Sequence, residues 1–338
     1  MHIMRFLKDW TLPVAIAVGT AAYLLFHFVP ALDGPGTALA PLFDFLLPLF
    51  VFLTLFITFC KVDFRQMLPH RWHVGILVAQ LLLVGVATAA CWWAGADAPG
   101  VPSLNGDLQS PPTGVPSPFL KLLFESLLTC IIGPSAAAAP VVVGKLGGNI
   151  STMTTYTLLS AFISALLIPL VFPLLEQTVH TDFLSAFLII LYKVAVVLLL
   201  PLALGWLVQR HLPLLARRIA SMPNLSFYTW AVSLAITTGI TVKNIVHSEA
   251  TAALLSAIAL ATLLLCALQF VIGRAIGRRL GEEINAGQAL FQKNTGLSIW
   301  VSYMYLSPVA SIGAGCYVLW QNIINSFEIW AARNVLKK

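Results

Sequence analysis

Few residues in this chain can carry a charge, so those that fall inside apolar runs mark where chemistry is done. The segment GQALFQKNTGLSIW, residues 287–300, is apolar at both ends and holds Lys293, Asn294, Thr295 and Gly296 in its middle. An ammonium in such a place seeks an anion. Asn294 and Thr295 offer side-chain oxygens that cap a helix restarting there. The first N–H groups of that helix, with its dipole, add positive potential. Together these residues suit recognition of a carboxylate or a similar anion. A second segment, CIIGPSAAAAPVVVGKLGG at 130–148, is interrupted by Pro134 and Pro140 and places Ser135 beside the first break. Lys193, in IILYKVAVV, is the other deep positive charge.

Other chemistries lack their residues. His70, His73, His180, His211 and His247 fall in loops or at helix ends. The apolar runs contain no Gly-x-Ser-x-Gly, His-Glu-x-x-His or Gly-Asp pattern, so no catalytic residue is assigned and no enzyme is expected. Cys60, Cys91, Cys130, Cys266 and Cys316 have no paired spacing and read as packing residues, which argues against disulfides, a metal site or a cofactor.

The elements that must position these residues are helices in lipid. Of 338 residues, 59% are hydrophobic and 9% charged, against roughly a quarter charged in a soluble domain. Apolar runs long enough to cross a bilayer as helix fall at 11–31, 37–60, 73–95, 118–146, 149–175, 182–209, 225–246, 250–273, 285–306 and 308–332. That predicts an all-α polytopic membrane protein with ten transmembrane helices, the fourth and ninth broken. Positive residues resist translocation. Arg5, Lys8, Lys61, Arg65, Arg71, Lys145, Arg210, Arg217, Arg218, Arg274, Arg278, Arg279, Arg333, Lys337 and Lys338 collect on one side, while the loop at 96–117 has Asp97 and Asp107 but no Lys or Arg. Both termini are therefore expected in the cytoplasm. The first run has the length of the others and no small-residue cleavage site after it, so it is read as a helix rather than a signal peptide. The net charge of +6 is explained by these anchoring loops, and no nucleic-acid partner is expected.

Split into two sets of five, the runs place the broken helix fourth in each half. Five is odd, so the second half enters the membrane from the opposite side, as in an inverted repeat. In secondary transporters of that kind the paired breaks meet near the midplane and build the binding site.

Several stretches carry a likeness to a known family: LLPLFVFLTLFI in the second run, GILVAQLLLVG with Gln80 in the third, GPSAAAAPVVVGKLGG in the fourth, KNTGL in the ninth and VLWQNIINSFEIW in the tenth. Over nearly its whole length the chain resembles the bile acid:sodium symporter family, the bacterial homologues of the apical sodium-dependent bile acid transporter. Members carry Gln-Asn-Ser/Thr-Gly-Leu where this chain has Lys293 to Leu297, and Trp-His-Asn where it has Trp320 to Asn322. The resemblance implies a panel domain at 1–60 and 182–246, and a core domain at 73–175 and 250–332 in which helices 4 and 9 cross. It further implies alternating-access movement of a small organic anion (bile-acid-like, hydroxy or keto acid) across the bacterial inner membrane, by a monomer or homodimer whose other partner is the lipid bilayer.

The departures are as informative. The family's sodium ligands fall here on Ala139, Pro140, Met153, Ala289 and Lys293, and only Thr157 and Gln80 retain an oxygen. Losing a carboxylate and gaining an ammonium opposes a cation at that place. The expectation is that Lys293 stands in for a sodium ion, bracing the crossing through Gln80 and nearby carbonyls. Transport would then be sodium-independent, with proton coupling as a variant; sodium-coupled symport through altered sites, or a non-transporting sensor or channel, is the alternative. Asn294, Thr295, Ser135 and Lys293 are the expected substrate contacts, and Lys293, Gln80 and Thr157 the ion-site or ion-replacing residues. Pro134, Gly296 and Asn322 are expected to support the crossing, with Asn322 bonding freed backbone. Lys193 is expected to pair with Asp44 or Glu125, and Glu328 to cover Arg333.

Overall fold

The computed structural model describes residues 11–29, 32–61, 67–96, 118–175, 183–222 and 225–335. Asp97 and Asp107, Arg5, Lys8, Arg65, His180, Lys337 and Lys338, and the side chains of Asp44 and Arg333, lie outside the described residues.

The described residues are helical throughout, apart from turns and one isolated backbone bridge. In chain order the helices are α1 (Thr11–Phe28), α2 (Asp33–Cys60), α3 (Arg71–Ala96), α4 (Pro118–Ile132), α5 (Ala139–Lys145), α6 (Ile150–Leu175) and α7 (Phe183–Leu198). They continue with α8 (Leu200–His211), α9 (Pro213–Ala220), α10 (Leu225–Val246), α11 (Ala252–Leu280), α12 (Glu283–Phe291), α13 (Thr295–Tyr305) and α14 (Pro308–Val335). Among them Arg71–Gly95, Ile150–Leu175, Phe183–His211 and Ala252–Leu280 are long and apolar enough to cross a membrane, and Pro13–Phe28 and Phe45–Cys60 are shorter apolar helices.

Helix α11 shows what kind of surface the molecule has. Its outward residues Leu260, Leu264, Leu268 and Val271 recur every three or four positions, and Leu264 is 70% exposed. Its inward face carries Thr262, Cys266, Gln269, Gly273 and Gly277. Apolar outside with small and polar inside is the arrangement of a helix whose solvent is lipid. The chain is an all-α membrane protein.

Local chemistry sets the element ends. Thr251 caps α11 by accepting from the Leu254 N–H at 3.3 Å. Gly281, at φ 78°, closes its other end in the left-handed region that favours glycine. Gly273 and Gly277 then let α12 lie directly on α11: a Cβ on Gly273 would stand 2.6 Å from the Ala286 carbonyl oxygen. That close approach lets the short α12 pack along α11.

Candidate functional site

Helix α4 stops at Ile132 before Gly133 and Pro134, and α12 stops at Phe291. The two interruptions meet as an antiparallel bridge between Ser135 and Lys293. The Ala136 N–H donates to the Gln292 carbonyl at 2.9 Å, and the Asn294 N–H to the Pro134 carbonyl at 2.8 Å. In lipid every other freed backbone group must also find a partner inside the protein.

Around the α4 break those partners are side chains. Gln80 Nε2 donates to the carbonyls of Ile131 (3.3 Å) and Gly133 (3.2 Å), while its Oε1 accepts from the Tyr156 hydroxyl at 3.3 Å. Ser164 donates to the Ile132 carbonyl at 2.9 Å. The Ser160 hydroxyl accepts from the Ser135 N–H at 3.0 Å. Ser135 Oγ itself turns to the Gln292 carbonyl at 3.5 Å. Thr157 spends its hydroxyl on the Met153 carbonyl one turn back, at 3.0 Å.

At the second break Gln321 is the clamp. Its Oε1 accepts from the Lys293 N–H at 3.0 Å and its Nε2 donates to the Lys293 carbonyl at 3.3 Å. Tyr317 donates its hydroxyl to the Phe291 carbonyl at 2.7 Å. The expectation that Asn322 bonds freed backbone is corrected here: Asn322 Nδ2 donates to Val318 of its own helix, because it lies a helical step of about 100° from Gln321 and faces elsewhere. Asn294 is the cap of α13, its Oδ1 accepting from the Leu297 N–H at 3.2 Å.

The Lys293 side chain is fully buried, and its Nζ has no partner among the described residues. Gln80 does not bond it: its Nε2 serves the α4 break and its Oε1 accepts from Tyr156 of α6. Lys293, Asn294, Thr295 and Gly296 instead line one wall of a narrow, partly open cleft. Facing them are Val51 and Thr54 of α2, and Trp230, Ser233 and Thr237 of α10. The walls are close: a Cβ on Gly296 would stand 3.1 Å from Val51 Cγ2 and 3.5 Å from Thr237 Oγ1. Of the residues expected to touch substrate, Lys293, Asn294 and Thr295 line the cleft. Ser135 does not; its hydroxyl turns to the Gln292 carbonyl, although its neighbours Ala136 and Ala137 reach the wall.

Four of the five positions expected to have held sodium ligands carry apolar side chains, the fifth being Lys293. Ala139, Met153 and Ala289 belong to one buried cluster with Trp72, Ile76, Val143, Tyr156 and Leu290, and Pro140 is buried next to it. Thr157 brings one hydroxyl, already bonded.

Of the two partners expected for Lys193, Glu125 pairs instead with Lys121 on its own helix at 3.5 Å, and Lys193 lies over the Tyr305 ring at 5.9 Å; the Asp44 alternative falls on a side chain outside the described residues. Glu328 bonds Arg274 of α11, which also holds Glu283 at 3.1 Å; the expected contact with Arg333 falls on a side chain outside the described residues. Sequence reasoning missed Ser160, Ser164, Tyr156 and the α10 residues of the cleft. Hydroxyls are common in membrane helices, and only packing shows which of them meet a break. Gln321 did carry a signal, as the neighbour of Asn322 in the VLWQN stretch. No protein-family model matches the chain, and no curated protein matches it.

Proposed function

We propose that the protein is a secondary transporter that moves a small organic anion across a membrane by alternating access, with the ammonium of Lys293 where relatives in the family it resembles would bind sodium. The observation that carries this reading is the buried, unpartnered Lys293 at the meeting of two broken helices, on the wall of a cleft. A protein does not keep such a charge unless something uses it. The hydrocarbon around Ala139, Met153 and Ala289 supports independence from sodium, because hard cations need oxygen ligands.

The same reading takes α4 with α5 and α12 with α13 as the fourth and ninth of ten spans in two inverted repeats. It takes helices α1, α2 and α7 to α10 as a panel that moves against the rest, with both termini in the cytoplasm of a bacterium. The cleft walls of Thr54, Ser233, Thr237 and Thr295 add hydroxyl donors beside one cation, which suits a short hydroxy or keto monocarboxylate.

The test is uptake and counterflow in proteoliposomes with labelled hydroxy and keto monocarboxylates, in sodium and again with sodium replaced by potassium. Exchange that persists without sodium is expected. A strict sodium requirement would remove the substitution of lysine for the ion. Binding without counterflow would make the protein a sensor or channel rather than a carrier.

A further inference from the structure

One face of α10 changes its role along its length. Trp230, Ser233, Thr237, Thr241 and Asn244 recur every three or four residues, so they share that face. The first three line the cleft that Lys293 also lines. The last two, one and two turns closer to Val246, meet α14. Asn244 Nδ2 donates to Ser311 Oγ at 2.8 Å. Thr241 sits in the notch left by Gly315, where a Cβ would stand 2.8 Å from Thr241 Cβ. Thr241 and Asn244 are buried, and Ser311 is completely so.

Helix α14 shows the same division in reverse. Ser311, Gly315 and Val318 share one of its faces; Val318 reaches the cleft, while the other two meet α10. The two helices therefore run antiparallel, and their polar contact lies beside the cleft on the side of Val246 and Pro308.

Each helix is held by a different neighbour. Gly313, two positions and so about 200° from Gly315, puts α14 on α4, since a Cβ there would stand 2.7 Å from the Ser126 carbonyl carbon. Thr129 of α4 also donates to the Ala310 carbonyl at 3.4 Å. Helix α10 lies instead on α1, where a Cβ on Gly239 would stand 3.2 Å from the Gly19 carbonyl oxygen. The contact between α10 and α14 is thus a seam between two differently anchored helices. Toward Leu225 it continues through Leu234 and Val318, in an apolar cluster with Ala231 and Ala15. Apolar contact is non-directional and allows sliding. A directed hydrogen bond and a side chain seated in a glycine notch hold at one register only.

We propose that Asn244–Ser311 and Thr241–Gly315 form a lock that closes the cleft at the Val246 end of α10 and must part to admit the anion from that side. The passage of an anion there rests on the carrier reading above; the closure of the seam at this level does not.

Labelling of a cysteine in the cleft tests it. In sealed vesicles, Thr237→Cys is treated with a charged, membrane-impermeant methanethiosulfonate on the face that carries His247 and, in inverted vesicles, on the other face. The protein without that substitution gives the background of the five native cysteines. Reaction from the His247 face is expected to be about tenfold slower, as for a minor open population. Adding Asn244→Ala should raise the slow rate about fivefold, the population shift that one hydrogen bond supports. Equal rates from the two faces, or a faster rate from the His247 face, would overturn the lock, as would an unchanged slow rate in folded Asn244→Ala. If that variant does not fold, the comparison of faces still decides. One-sided labelling without counterflow would remove the carrier and leave the lock, whereas counterflow with equal labelling would remove the lock alone.

Discussion

The two broken helices solve the same problem in opposite ways. At Gly133–Ser135 the freed groups are met by Gln80, Ser160 and Ser164, and none of the side chains that meet them is charged. At Gln292–Asn294 the backbone is equally well bonded, through Gln321 and Tyr317, yet an ammonium and several amides nearby are left without partners. The backbone of both breaks is bonded inside the protein; they differ in that the second carries a buried ammonium without a partner among the described residues.

Substitutions can break or sharpen that contrast. The largest effect is expected from Lys293→Met. Losing a charge-assisted contact of about 3 kcal/mol should weaken binding of monocarboxylates by about 100-fold, measured by titration calorimetry. The same change should raise thermal stability, because an uncompensated buried charge costs several kcal/mol. Weaker binding with a stabler fold is the signature of a site; a destabilised variant would mean that Lys293 is structural.

Gln80→Leu should do the reverse. It strips the Ile131 and Gly133 carbonyls of a donor and should cost about 3 kcal/mol in denaturant unfolding, with anion affinity of the folded protein nearly unchanged. A large loss of affinity would bring Gln80 back as a partner of the lysine. Asn294→Ala removes the α13 cap and should cost about 1 kcal/mol, largely recovered by Asn294→Ser. The smallest effect is expected at Gly133→Ala. The added methyl would stand 2.4 Å from Ser298 Oγ, a hydroxyl that can rotate, so the change in unfolding free energy should stay near 0.5 kcal/mol. A larger cost would show the α4 break to be as tightly constrained as the second.

Much of this organisation is legible in the residues. Apolar runs and the rarity of charge identify a membrane protein, and Pro134, Gly133 and the Lys-Asn-Thr-Gly sequence mark both breaks, because helix interruption is a local property of the backbone. Lys293 stands out for the same reason: its cost depends on the apolar neighbours around it in sequence. The partners of the breaks were not legible. Gln321 could not be told from Asn322 without the angle of α14, and nothing in the sequence pointed Glu328 to Arg274, 54 residues away. Ser135 looked like a cleft residue until the structure turned its hydroxyl to the Gln292 carbonyl.

By itself, then, the amino-acid sequence determined the solvent of this protein, its helices, the location of the two breaks and the isolated charge, since each follows from short-range chemistry. Tertiary structure decided what those features mean. It brought Ser135 to Lys293 across 157 intervening positions of chain, bonded the backbone of both breaks while leaving the ammonium without a partner among the described residues, and set α10 opposite the lysine. Hydrogen bonds and burial act through space, and only the packed chain says which distant residues come within their reach.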